Sequence, residues 1–291
     1  MDTFSLRSVG TVMAALELLP AEPSDLSGIL RDSDQRSMLL DRVPGLHRSP
    51  LTTYLCENIA PERVDAWSKE LEMLCERKAV HTALAGTPAY PGRLAECWDA
   101  PPVLFTLGSA AEGPHVAIVG SRAASPDIVE DARRLAADLA SAGVTIVSGL
   151  AAGIDTAAHE GALAVRGTTV AVMGTGIETI YPEQNTELAE RIADSGMLVS
   201  QFAPRAPRTS TTFLKRNCVI AGMSDASVIM DGRTRSGSRH ELEQAINYGR
   251  TALMWEPALA QEDWAKDFRD RGLATFVSSA AQVRRALEGI G

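Results

Sequence analysis

The stretch that decides the fold is "VSGLAAGIDTAAHEGAL", Val147 to Leu163. A β-branched run stops at Gly149, the chain passes Gly153, and an alanine-rich helical pattern follows. This order is typical of a buried strand, a tight turn and a helix. Backbone N–H groups at the start of a helix lack partners and favour an anion, and glycine lets that anion come close. The stretch therefore predicts a strand–turn–helix unit whose turn holds a phosphate.

The same alternation continues on both sides of this unit. From Pro102 onward, longer amphipathic segments separate short apolar runs: "VLFTL", "HVAIVG", "VTIVSG", "TTVAVMG", "MLVSQ", "ASVIMD" and "TALMW". Apolar strands joined by crossover helices are what a parallel sheet requires. We predict an α/β fold with a doubly wound, mostly parallel Rossmann-like sheet, extended at its end by one short strand and a last helix.

The N-terminal part of the chain has a different pattern. Apolar positions recur three and four apart in "VMAALELL", "RSMLLDRV" and "WSKELEMLCERKAV", which predicts helices. The breaker-rich segment "AGTPAYPGRL" then interrupts this periodicity. We expect a small helical domain at 1–84 and a Rossmann-like core at 85–291, with no room for a winged-helix domain.

Composition limits the classes of function. The 291 residues are 45% hydrophobic and 22% charged, the balance of a core-forming chain. The best N-terminal apolar run, "VGTVMAALELL", is too short to span a bilayer, so we expect a cytoplasmic protein without a membrane partner. The four cysteines form no CxxC pair, so no metal site, disulfide or cofactor is predicted.

Basic residues are concentrated in one window. The net charge is −9, but residues 201–250 contain eight Lys or Arg against four Asp or Glu. The basic residues are Arg205, Arg208, Lys215, Arg216, Arg233, Arg235, Arg239 and Arg250. This local excess predicts an anion site in a chain that is acidic overall.

Glycine marks four of the predicted strand ends. The glycines are Gly120, the pair Gly149 and Gly153, the pair Gly174 and Gly176, and Gly237; Ser121, Arg122, Ser236, Ser238 and Arg239 accompany them. Because the carboxyl ends of parallel strands meet at one edge of a sheet, we expect these turns to form one phosphate pocket.

The spacing of the glycines argues against two enzyme classes, nicotinamide-dependent enzymes and phosphate-loop ATPases. Thr179 occupies the third position of a dinucleotide fingerprint begun by Gly174 and Gly176, and no GxxxxGK[ST] phosphate loop is present. His159 lies inside a predicted helix one turn from Asp155, so we expect it to be structural instead of catalytic.

The chain resembles the DNA-processing protein A (DprA/Smf) family, single-strand DNA binders that load RecA during bacterial transformation. The resemblance is carried by "YPGRLAECWDAPPVLFTLG" (Tyr90–Gly108), "VAIVGSR", "SGLAAGIDTAAHEGAL", "GTGIETIYPEQN", "FLKRNCVIAGMSD" (Phe213–Asp225) and "SGS" (Ser236–Ser238). It implies a cytoplasmic homodimer that acts in DNA recombination or competence, with single-stranded DNA and a RecA-type recombinase as partners and no enzymatic activity.

The resemblance also implies the site. The residues expected to bind DNA or phosphate are Gly120, Ser121, Arg122, Ser148, Gly149, Gly153, Asp155, Gly174, Gly176, Tyr181, Asn185, Phe213, Lys215, Arg216, Asn217, Ser236, Gly237, Ser238 and Arg239. In physical terms the arginines would neutralise phosphates, the glycine-loop amides would bind phosphate oxygens, and Tyr181 or Phe213 would stack on a base.

Departures from the family pattern keep two alternatives open. Gln201 stands where the family often has Glu, Glu183 where a basic residue is common, and "SGSRHELEQA" where the family usually has "SGSLITA". With its Glu241, "SGSRHE" resembles the lysine-decarboxylase-like nucleotide hydrolases (the LOG family), although their full "PGGxGTxxE" signature is absent. A sensor of a nucleotide signal that uses the same pocket is the other alternative.

Overall fold

A computed structural model describes residues 5–19, 23–43, 45, 49–232 and 237–289. The chain divides into two compact units, Met1–Leu107 and Gly108–Gly291.

The first unit is mainly helical. Its helices are α1 (Leu6–Leu18), α2 (Pro23–Arg31), α3 (Ser33–Leu40), α4 (Pro50–Asn58), α5 (Pro61–Lys78) and α6 (Gly92–Ala95), and its strands are β1 (His81–Leu84) and β2 (Val103–Gly108). Several helices begin at a capping side chain, for example Ser5, whose Oγ accepts from the backbone N–H of Ser8 at 3.2 Å. The core of this unit contains the fully buried Leu26, Leu30 and Leu71.

Helices α1 and α5 pack closely because Gly10 has no side chain. A Cβ at Gly10 would lie 2.5 Å from Ser68 Oγ and 2.8 Å from the carbonyl oxygen of Val64. A larger residue at this position would therefore push the two helices apart.

Strand β1 differs from the prediction, which placed His81–Leu84 in the helical region. This strand pairs antiparallel with β2, with Leu84 opposite Val103. Hydrogen bonds tie the segment between them to α2: Ser27 Oγ donates to the carbonyl of Ala100 at 2.6 Å, and Arg31 Nη2 donates to that of Cys97 at 2.7 Å. These bonds explain why the division falls after Leu107 and not at the expected boundary, 84/85.

The second unit is the predicted strand–helix alternation. Its strands are β3 (His115–Val119), β4 (Thr145–Ser148), β5 (Thr169–Val172), β6 (Met197–Ser200), β7 (Ala226–Ile229), β8 (Thr251–Trp255) and β9 (Thr275–Val277). Its helices are α7 (Pro126–Ser141), α8 (Ile154–Ala164), α9 (Thr186–Ser195), α10 (Ser210–Met223), α11 (Gly237–Asn247), α12 (Glu256–Leu259), α13 (Asp263–Asp270) and α14 (Ala280–Glu288), with a 3₁₀ turn at Glu183–Asn185. The strand order is β6-β5-β4-β3-β7-β8-β9, and all these pairings are parallel. The predicted α/β fold class is confirmed.

The core of this unit lies between the sheet and its helices. Ile118, Ile146 and Val228 on neighbouring strands are fully buried together with Leu139 of α7. Burial of each such side chain contributes about 1.5–3 kcal/mol. Helix α8 lies close against α7 because a Cβ at Gly161 would overlap the backbone carbonyl of Arg133.

The strand order reverses between β3 and β7. The chain runs from β3 through β6 toward one edge, and then returns to the other side of β3 for β7, β8 and β9. In open α/β sheets, ligands bind at the carboxyl ends of the strands where such a reversal occurs. Within the described ranges, no helix has the length and apolarity needed to cross a membrane.

Candidate functional site

A cavity of about 390 Å³ lies at the reversal point between β3 and β7. Nine of the predicted residues line it: Gly120, Ser121, Arg122, Asp155, Phe213, Arg216, Asn217, Gly237 and Ser238. They come from the turns after β3 and β4, from the first two turns of α10 and from the first turn of α11. The sheet therefore brings together turns that are far apart in sequence.

The turn after β3 forms one wall. A Cβ at Gly120 would lie 2.6 Å from Cγ1 of Ile154, so only glycine fits without movement of α8. Ser121 Oγ accepts from the backbone N–H of Ala123 at 3.1 Å, which holds the turn. Arg122 is exposed, and its guanidinium carbon lies 5.0 Å from the centroid of the Phe213 ring. Arg122 is the accessible cation of this wall.

The turn between β4 and α8 forms the floor. Gly153 has φ +82°, and a Cβ there would lie 2.7 Å from the carbonyl oxygen of Ser121, so two turns meet at this glycine. The Asp155 side chain closes its own loop by accepting from the backbone N–H of Ala151 at 3.3 Å. Burial raises the pKa of Asp155, and the positive charge of Arg216 opposes that rise. Ser148 Oγ donates to the carbonyl of Ile118 at 2.6 Å beneath the floor, where it supports the strands and does not face the cavity.

Arg216, which the sequence predicts to neutralise phosphates, is almost fully buried at this floor of the cavity. Its Nη1 donates to the carbonyls of Gly149 and Val172, the latter at 2.9 Å, and its Nε donates to Asn217 Oδ1 at 3.0 Å. Burial lowers the pKa of Arg216. A Cβ at Gly149 would overlap the guanidinium, so that glycine makes room for the arginine and not for a ligand. Arg216 thus supplies a fixed positive charge from below.

Arginine and aromatic side chains cluster around Phe213. The guanidinium carbons of Arg122, Arg216 and Arg208 lie 5.0, 5.2 and 5.7 Å from the Phe213 ring centroid. The Tyr181 ring meets Phe213 edge to face at 6.0 Å, and Arg208 lies 4.8 Å from the Tyr181 centroid. These five residues are called the arginine–aromatic cluster below. Arg208 was counted in the basic window but was not expected in the site.

Glu241 lies in the cavity wall and is 1% exposed. Ser227 Oγ, from β7, donates to its Oε1 at 2.7 Å. Burial raises the pKa of Glu241 to about 8, and the Ser227 hydrogen bond only partly offsets this. The carboxyl is therefore mostly protonated at neutral pH, which leaves the arginines to dominate the charge of the cavity.

The other predicted residues that the structure describes do not line the cavity. Gly174 lies against the Phe213 ring, and Gly176 packs against the carbonyls of Ala203 and Pro204. Asn185 is buried and donates to the carbonyl of Leu150 at 2.9 Å, so it fastens a loop. Lys215 is exposed on α10, and Ser236 falls outside the described residues.

Arg239 also points elsewhere. Its Nε lies 3.1 Å from Glu243 Oε1, and its guanidinium carbon lies 5.6 and 5.4 Å from the Trp264 and Phe268 rings. Because these rings attract the cation to the other side of α11, Arg239 does not face the cavity.

His159 takes the structural role that was expected. It is fully buried, and its Nδ1 lies 2.7 Å from Thr169 Oγ1, which itself donates to the carbonyl of Ile146. Since the Thr169 proton is used there, Nδ1 is the donor to Thr169. Burial lowers the pKa of His159 to about 3, so the ring is neutral.

The fold and the cavity together define a Rossmann-like α/β protein with a cation-lined pocket at the reversal point of the sheet. The profile of the DNA recombination-mediator protein A family matches residues 81–288. The chain therefore belongs to that family, and the resemblance to DprA/Smf proteins is confirmed.

Curated relatives agree with this assignment. Protein Smf of Synechocystis sp. is 40% identical over 169 residues, which cover 56% of this chain and 42% of that protein. DNA processing protein DprA of Streptococcus pneumoniae is 39% identical over 163 residues, 55% of this chain and 57% of that protein. The chain thus spans about half the length of the curated relatives it matches.

Solved structures extend the similarity. The X-ray structure of DprA from Streptococcus pneumoniae superposes with a TM-score of 0.76 at 26% identity, and covers 97% of this chain and 98% of that one. DprA from Helicobacter pylori, whose structure describes a single-stranded DNA binding mode, has a TM-score of 0.64 at 25% identity, covering 73% of this chain and 97% of that one.

Proposed function

We propose that the chain binds single-stranded DNA at the mouth of the cavity. The observation that carries this proposal is the arginine–aromatic cluster, in which three guanidinium groups surround one ring. Positive charges gathered this closely repel each other, and a DNA phosphate relieves that repulsion. Phe213 and Tyr181 offer faces and edges on which bases of any kind can stack. We expect little sequence preference and a preference for single strands over duplex.

The relatives support the same ligand. The Helicobacter pylori protein is described by its single-stranded DNA binding mode, and this chain shares its fold over 73% of its length. The net charge of −9 confines DNA to the basic region, because the rest of the surface repels phosphates.

The test is the salt dependence of binding to a labelled oligothymidylate, measured by fluorescence anisotropy. Arg122→Ala should weaken binding and reduce the slope of log K against log salt by about one phosphate contact. Arg284→Ala, which removes an exposed arginine from α14 outside the cavity, is the matched control and should behave like wild type. Equal slopes for wild type and Arg122→Ala would refute the proposed site, and no binding at low salt would refute the function.

A substitution at Phe213 tests base stacking separately from phosphate binding. Phe213→Leu keeps an apolar side chain and all the arginines, but it removes the stacking surface. Loss of one stacked base costs about 1–3 kcal/mol, which corresponds to roughly five- to 150-fold weaker binding. The salt slope should stay at the wild-type value, because no phosphate contact is lost.

The resemblance to DprA/Smf proteins suggests partners for this chain. We propose that the chain acts in the cytoplasm as a homodimer that helps a RecA-type recombinase onto DNA, in recombination or DNA uptake. Light scattering should give twice the 31.0 kDa chain mass at micromolar concentration. A strand-exchange assay with recombinase and single-strand binding protein should show faster strand exchange when the chain is added.

We propose a binding role and not a hydrolytic one. The nucleotide-hydrolase alternative depends on Glu241, and the described residue that hydrogen-bonds its carboxyl is the uncharged Ser227. We expect no free adenine after prolonged incubation with adenosine monophosphate (AMP). Base release by wild type that disappears in Glu241→Gln would establish the hydrolase instead.

A further inference from the structure

Glu241 has a feature that DNA binding leaves unexplained. Its Oε1 accepts from Ser227, whereas its Oε2 is buried and has no hydrogen-bond partner among the described residues. A buried carboxyl oxygen without a partner costs free energy, and such atoms are rare in folded proteins. Since Glu241 also lines the cavity, a ligand placed there can complete its hydrogen bonding.

The chemistry of the cavity restricts that ligand. A carboxyl whose Oε1 is already occupied offers one further acceptor, or one donor when it is protonated. A hydroxyl group can satisfy either state, because it both donates and accepts. The same cavity contains Arg122 as an accessible cation and Phe213 as an aromatic surface. The ligand should therefore carry a phosphate, a hydroxyl group and a planar ring.

Free ribonucleotides have all three groups, whereas nucleotides inside a DNA strand have no sugar hydroxyl. The cavity volume of about 390 Å³ falls within the range of small-molecule sites. Its place at the reversal point is where open α/β sheets bind nucleotides, and an acidic side chain commonly holds the ribose hydroxyls there.

We propose that the cavity binds a free ribonucleoside 5′-monophosphate, with the phosphate at Arg122 and a ribose hydroxyl on Oε2 of Glu241. Arg122 and Phe213 would then serve both ligands, so the nucleotide competes with single-stranded DNA. Only this competition rests on the proposed DNA-binding function; the nucleotide site itself does not.

Calorimetry with AMP and with 2′,3′-dideoxyadenosine monophosphate (ddAMP) tests the proposal, because the second compound lacks both ribose hydroxyls. Wild type should bind AMP at least about tenfold more tightly than ddAMP, the effect of one hydrogen bond to a buried carboxyl. Glu241→Met, which keeps the side-chain length without its oxygens, should lower the affinity for AMP to that for ddAMP and leave ddAMP unchanged. Glu241→Gln, which retains a hydrogen-bonding group, should restore a preference for AMP.

The matched control is Glu243→Met, on the same helix, where the carboxylate contacts Arg239 instead of the cavity. This variant should bind both nucleotides as wild type does. Equal affinity of wild type for AMP and ddAMP overturns the proposal, and so does an equal loss of both in Glu241→Met, which would show that Glu241 only supports the fold.

Competition distinguishes the two proposals. AMP should displace labelled oligothymidylate from wild type, with ddAMP at least about tenfold less effective in line with its lost hydrogen bond. AMP binding without any DNA binding would refute the proposed function alone. DNA binding without AMP binding would refute the nucleotide site alone.

Discussion

Replacement of Glu241 by Gln should change how stability depends on pH. The pKa of Glu241 is raised from 4.5 to about 8 in the folded protein by burial. Between these two values the folded state holds a proton that the unfolded chain has released. The contribution of Glu241 to folding stability is therefore greatest below the unfolded pKa and falls as the pH rises toward 8. Glutamine has no such proton, so Glu241→Gln removes this dependence.

The expected effect is large. Each pH unit between the two pKa values changes the free energy of unfolding by about 1.4 kcal/mol. From the unfolded pKa of 4.5 to about pH 7.5, wild type should lose up to about 4 kcal/mol relative to Glu241→Gln. That is a substantial part of the ~5–15 kcal/mol total of a typical domain.

Urea unfolding at several pH values, followed by tryptophan fluorescence, measures this difference. The quantity to plot is the free energy of unfolding of Glu241→Gln minus that of wild type, because effects of other groups cancel. This difference should rise steadily from pH 4.5 to about pH 7.5. Glu183→Gln, which removes an exposed carboxylate, should give a flat difference. A flat difference for Glu241→Gln as well would refute the assignment of a buried, protonated carboxyl.

Three further outcomes follow from described contacts. The free energy of unfolding of His159→Gln minus that of wild type should rise by about 1.4 kcal/mol per pH unit as the pH falls below 6.5, because the pKa of His159 is lowered to about 3; urea titrations measure this difference. Gly153→Ala should lower the free energy of unfolding by about 1–3 kcal/mol. Gly143→Ala should cost less, because Gly143 has the same φ of +82° but nothing lies within 4 Å of the new Cβ; urea unfolding midpoints compare the two variants. Leu139→Ala should cost about 2–5 kcal/mol and lower the melting temperature by calorimetry, since that side chain is fully buried.

The parallel core could be predicted from sequence because its signals are local. Each strand is a short apolar run, and each crossover helix shows its own period, so "VSGLAAGID" alone locates β4, its turn and the start of α8. The rule that parallel strands end at one edge then places Gly120, Gly153 and Gly237 together. Strand β1 escaped prediction because His81–Leu84 comes directly after the helical pattern of α5, which ends at Lys78, and pairs antiparallel outside the strand–helix alternation.

The directions of the arginines could not be predicted, because distant residues decide them. Arg239 turns toward Trp264 and Phe268, which lie on a helix that follows the next strand. Arg216 is drawn under the floor by the carbonyls of Gly149 and Val172. A count of basic residues in a window gives the charge of a region, but it does not give the side of a helix to which each charge is attached.

The hydrogen bonds of Asn217 tie the buried charge to the start of α11. The amide oxygen accepts from Arg216 Nε at 3.0 Å, and the amide nitrogen donates to the carbonyl of Gly237 at 3.0 Å. An aspartate here would face that carbonyl with a second acceptor, and a leucine would leave both neighbours unsatisfied. The buried charge and the position of the opposite cavity wall are thus coupled through Asn217. A redesign of this pocket for another ligand must therefore change Arg216, Asn217 and the first turn of α11 together.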